Sequence, residues 1–252
     1  MIYVKFPNDK FDNHPDYIEW QSSSRSGINP WVKLLNWLAA HTQRLHANNA
    51  NENYYKCWFS EEVIKGRGNM AVEHFRPKSS AQNLTKNQKV KLESIHGIDN
   101  IPEDTASPQH YPWLRLNEKE NFGIASTHVN KTGNKGNVFP VLKSSARLSL
   151  HSLPSNNQEH PLLLCPTKKE DTDLLTLDPK GDIIPKYPFD YLSKPVNFEA
   201  NPVNHWNSHW VNGIRVYVSV VVYGLDDVGL RNARRSKYEN TTQLLQELET
   251  AI

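Results

Sequence analysis

A chain of 252 residues with 37% hydrophobic and 22% charged side chains can bury a sizeable core, which excludes a disordered segment or a fibre. The formal charge of +2 gives no global basic field, so any attraction for nucleic acid must come from a local patch. The only cysteines, Cys57 and Cys165, are far apart, which excludes a disulfide framework and a zinc site built from thiolates alone.

The opening residues, MIYVKFPNDK, hold no apolar signal-peptide core, and Ile2–Phe6 reads as a short strand. Pro30 to about Asn48 predicts a helix, capped by Asn29, with Trp31, Leu34, Leu35, Leu38 and Leu45 mostly on one stripe. Residues 54–78 predict two short strands around a Gly- and Lys-rich connection, the second ending in AVEHFRPK. Residues 79–110 read as a long loop with one helical stretch, Thr85–Ser94. The apolar run PLLLCP at 161–166 predicts a buried extended segment, and LLTLDPKGDIIPK a hairpin turning at Asp178–Gly181. A long helix is expected over about Val203–Tyr223, and a last amphipathic helix, capped by Asp227, to about Leu248. The longest apolar run, Val216–Val222 with one serine, is too short to span a bilayer. A cytoplasmic protein without a membrane partner is therefore expected.

The chemistry concentrates in VEHFRPK at 72–78. Adjacent residues on a strand face opposite ways, so Glu73 and His74 would serve different surfaces. Asn121 comes much later, and Asn130 nine residues after it. Phosphodiester cleavage needs a base to deprotonate water, a divalent ion to stabilise charge, and a group to orient the base. A histidine supplies the base near neutral pH. A carboxylate and an amide oxygen offer hard ligands suited to magnesium. On other residues the bland reading prevails: Cys57 and Cys165 read as small core side chains. His205 and His209, at helical spacing in NHWNSHW, read as packing rather than metal ligands. The basic run RNARRSK at 231–237 reads as a solvated helix face.

The blocks EHFRPK, YPWL, the N-F and V-N-K pair and KGNVFP resemble HNH nucleases of the PtuB type, found in Septu anti-phage systems and beside retrons. EHPLLLCPTKKED, the DPKGDIIP hairpin and YGLDDVGLRNAR extend the resemblance over roughly residues 30–248. It implies an α+β fold with a ββα-metal (HNH, His-Me finger) core over 54–140. An N-terminal segment with a helix, 1–53, would precede it, and a C-terminal hairpin and helical region, 141–252, would follow. It implies His74 as general base, Glu73 and Asn130 as ligands of magnesium or manganese, and Asn121 as the holder of the histidine loop. Arg76, Lys131 and Lys135 stand where phosphate contacts would be useful.

The family commonly carries two CxxC pairs around a structural zinc. Here they fall at Cys57 and Ser60, and at Ser126 and Val129, so structural zinc is not expected and Trp58, Phe59, Val72, Phe75, Phe122 and Phe139 would hold the unit. The resemblance further implies a toxic effector of phage defence that cuts DNA or RNA, with a PtuA-type ATPase and a retron reverse transcriptase with its msDNA as partners. A degenerate HNH fold acting as a scaffold, and a stand-alone endonuclease, are the alternatives.

Overall fold

The computed structural model describes residues 44–45, 54–60, 62–65, 67–77, 81–105, 121–130, 134–144 and 159–250. The expected strand Ile2–Phe6 and the body of the expected 30–48 helix lie outside them. One part of that helix is corrected. Arg44–Leu45 is a strand, β1, pairing antiparallel with β2, Tyr54–Lys56, which pairs in turn with β3, Val63–Lys65. The asparagine-rich stretch between β1 and β2 favours turns over helix, and the strand ladder supplies the backbone partners a helix would have given.

β4, Met70–His74, pairs antiparallel with β5, Phe122–Ser126, although many residues separate them. Trp58 secures this ladder to the first sheet: its N–H donates to the Ile124 carbonyl at 2.7 Å, and its ring lies over Gly123. A Cβ at position 123 would fall 1.4 Å from the indole, so only glycine permits this approach.

The Lys86–His96 helix forms where the sequence carries both ends of the signal. Thr85 and Gln88 make a capping box, and Gly97 closes the helix in the left-handed conformation at φ 68°. β6, Leu175–Leu177, and β7, Ile183–Pro185, form the expected hairpin. In its turn Asp178 Oδ1 accepts from the N–H groups of Lys180 and Asp182, and Gly181 takes φ 84°. The expected 203–223 helix is shorter than its pattern. A 3-10 turn spans Pro202–His205, and the α-helix begins at His209, because the Ser208 side chain accepts from the Val211 N–H and caps it there. Asp227 accepts from Gly229 and Leu230 and starts the Val228–Thr250 helix.

The result is a mixed α/β architecture of small antiparallel sheets and several helices, compatible with an α+β class. One hydrophobic cluster runs from Cys57 to Leu225 and joins both halves of the chain. At its centre the Phe59 and Tyr223 rings stack at 4.2 Å, and Leu162, Leu163 and Leu164 are wholly buried. Each such leucine contributes about 1.5–3 kcal/mol of transfer free energy. The 161–166 run forms no regular strand. Ser219 Oγ and the Tyr223 hydroxyl instead satisfy the Leu164 backbone from the 209–222 helix. Among the described residues no helix is long and apolar enough to cross a membrane.

Candidate functional site

His74 closes β4, opposite Phe122, while Glu73 is opposite Gly123. Alternation along the strand sends the two side chains to opposite faces. The chain beyond His74 is held from a distance. Phe75 N–H donates to the Asn121 carbonyl at 2.8 Å. The Asn121 side chain then bonds both backbone groups of Arg76: Oδ1 accepts from its N–H at 2.8 Å and Nδ2 donates to its carbonyl at 3.2 Å. Asn121 is buried, so water does not compete for these bonds. A residue 45 positions away thus fixes the loop that follows the histidine.

Glu73 and Lys135 meet inside the protein. Lys135 is 0% exposed, and its ammonium donates to the His74 carbonyl at 2.9 Å, the Gly136 carbonyl at 3.3 Å and Glu73 Oε1 at 3.4 Å. Burial pulls the Lys135 pKa below the ordinary lysine value, and the neighbouring Glu73 carboxylate opposes that pull. Arg76 is buried as well. Its guanidinium grips Glu159 in a two-bond fork, Nη2 to Oε1 at 2.7 Å and Nη1 to Oε2, and lies 5.4 Å from the Phe139 ring centroid.

These positions correct two expectations. Arg76 and Lys135, placed by sequence among the phosphate contacts, are internal braces whose terminal nitrogens serve protein oxygens. The sequence shows them as cations in polar loops. Their burial depends on carboxylate and carbonyl partners that come from elsewhere in the fold. Glu159 is the residue that sequence reasoning missed, and its place two residues before the start of the PLLLCP run was the available signal. Lys131, the third expected phosphate contact, lies outside the described residues.

Asn130 is half-buried in a turn after β5, its N–H donating to the Ser126 carbonyl at 3.2 Å. The β4–β5 register sets Ser126 opposite Met70, at the far end of the ladder from His74. The chain then turns back: Lys135 N–H donates to the Val129 carbonyl, and the Lys135 ammonium reaches the His74 carbonyl. The 126–135 segment thereby connects the two ends of the ladder. Among the described residues no group of three or more His, Cys, Asp or Glu side chains is arranged to hold a metal ion.

No protein-family model, no curated protein and no solved structure matches this chain.

Two short turns carry a similar side-chain contact: Ser60 N–H donates to Cys57 Sγ at 3.5 Å, and Val129 N–H donates to Ser126 Oγ at 3.5 Å. Cys57, Ser60, Ser126 and Val129 are all buried. Burial pushes the Cys165 thiol up to about 11, which makes it an inert packing group rather than a nucleophile.

Proposed function

We propose that this chain is a metal-dependent nuclease of the HNH, ββα-metal type, with His74 as the general base that deprotonates the attacking water. The single observation that carries this reading is the clasp of the Asn121 amide on both backbone groups of Arg76, two residues past His74 at the end of β4. A general base must be held within hydrogen-bond reach of its water, and a loop tied at both peptide groups limits the drift of the backbone next to the imidazole.

Glu73 and Asn130 fit a hard divalent ion by donor type, a carboxylate and an amide oxygen, with the Lys135 ammonium as a rival cation on Glu73 Oε1. A magnesium or manganese ion with Glu73 and Asn130 as its ligands would supply charge stabilisation at the scissile phosphate. His74 takes the proton of water, and Asn121 keeps the loop from drifting. The resemblance to PtuB-type proteins extends the proposal to an effector of phage defence, working with a PtuA-type ATPase and, beside a retron, its reverse transcriptase and msDNA.

The test incubates the chain and its neighbouring gene products with duplex DNA and with RNA, in magnesium or manganese. Wild type is expected to cut one of them and His74→Ala to leave it intact; equal inertness of the two proteins removes the nuclease reading. One observation favours the rival scaffold reading: Arg76 and Lys135 are committed to protein oxygens. Under that reading His74→Ala retains every partner interaction of wild type.

A further inference from the structure

Glu159 has a second neighbourhood. Besides gripping Arg76 it stands on the rim of a cleft of about 550 Å³ at the N-terminal end of the 209–222 helix. The cleft wall carries His160, Lys168, Trp206 and Arg215. Trp206 is half-buried, with the Arg215 guanidinium carbon 4.2 Å from its ring centroid and the His160 ring centroid at 4.7 Å. Arg215 is 4% exposed; Asp171 and Asn212 take its terminal nitrogens, and its Nε finds no hydrogen-bond partner among the described residues.

The wall also holds three carboxylates, and two of them are engaged. Glu159 is forked to Arg76, and Asp171 accepts from Arg215 at 2.6 Å and from the Cys165 N–H at 2.9 Å. Glu170 is exposed, as is Lys168. Burial, then the Arg215 and Lys168 charges, hold the His160 imidazole below the ordinary histidine value.

We infer that this cleft is a subsite for one nucleotide of a single-stranded nucleic acid, its base packed on Trp206 and its phosphate against Lys168. Three features carry the inference. The space suits a ring system with a phosphate, a half-buried indole lines it, and an exposed lysine stands in the same wall, the combination by which proteins hold unpaired strands. Its place follows from Glu159, whose carboxylate links the cleft rim to the loop after His74. A strand crossing the proposed cleavage site would reach the cleft past Arg76 and Glu159, so the inference rests on the nuclease reading for its role but not for its binding chemistry.

The test measures fluorescence anisotropy of a labelled twelve-nucleotide single strand, as DNA and as RNA, with the full chain in EDTA so that nothing is cut. Trp206→Leu is expected to weaken binding about tenfold or more, the usual loss for one stacked base. Lys168→Gln, an exposed position that leaves the fold intact, is expected to reduce the slope of log K against log salt by about 0.7. Wild-type affinity in both variants overturns the inference. Adenosine monophosphate binding as tightly as the strand also overturns it, because the cleft would then hold a free nucleotide. The two readings separate cleanly. If the variants lose the strand while wild type cuts nothing in magnesium or manganese, the subsite stands and the nuclease falls. If wild type cuts, His74→Ala does not, and both variants bind normally, the subsite falls alone.

Discussion

The cations nearest His74 are internal, while the Trp206 cleft keeps one exposed cation, Lys168. At the β4–β5 ladder, Lys135 and Arg76 are buried against Glu73, Glu159 and backbone carbonyls. In the cleft, Arg215 is likewise buried and paired with Asp171, and of the two cations Lys168 alone is exposed. A basic residue beside the Glu73-His74 motif is thus no guide to phosphate binding. What matters is whether the fold provides an internal oxygen partner, because a buried charge without one is too costly to keep. Around His74 positive charge positions the backbone, whereas the Lys168 ammonium is left to the solvent side of its cleft.

Substitutions separate the two regions by what they disturb. The largest effect is expected at the ladder. Lys135→Met leaves the Glu73 carboxylate buried without its ammonium and should lower unfolding free energy by about 3–5 kcal/mol in urea denaturation. A loss below 1 kcal/mol would mean that Lys135 is not a structural brace, and the contrast would collapse. Asn121→Ala strips two bonds from the Arg76 backbone and is expected to cost about 1–3 kcal/mol, with cleavage falling about 100-fold as the histidine loop shifts. Gly123→Ala drives a methyl into Trp58 and should cost about 1–3 kcal/mol, read as a lower urea midpoint.

In the cleft, Lys168→Gln should leave stability within about 0.5 kcal/mol of wild type, since it removes an exposed charge. The smallest effect is acidic. Burial holds His96 below its ordinary value, so the unfolded chain takes up the proton first as pH falls. Its contribution is complete above about pH 6.5 and shrinks below it. The urea midpoint of wild type is expected to fall between pH 7 and pH 5.5, and that of His96→Gln to fall less.

What the sequence revealed was local. Thr85 with Gln88, Asp178 with Gly181, and Asp227 each cap or turn the chain through hydrogen bonds to residues a few positions away, so spacing alone predicts them. The 203–223 pattern failed at its start because Ser208 offered a better cap than continued helix, and β1 replaced part of the 30–48 helix because pairing with β2 overrode propensity. In the candidate site, the alternation of Glu73 and His74 was legible, being a property of any strand. The partners of Arg76 and Lys135 were not. Glu159 lies 83 residues from Arg76, and Glu73 lies 62 residues from Lys135, so each pairing is a product of tertiary structure. Trp206 stood in a cluster whose histidines drew attention, yet its neighbours in space, Arg215 and His160, come from other segments.

The Arg76–Glu159 fork also bears on how this molecule can be dissected. A fragment ending near residue 140 would carry the whole histidine–asparagine ladder but leave the guanidinium of Arg76 facing solvent, along with the apolar surface that Leu162–Leu164 and Tyr223 normally cover. Such a piece would be sticky towards any polyanion, and gel shifts made with it would report an artefact of truncation rather than recognition by the intact chain.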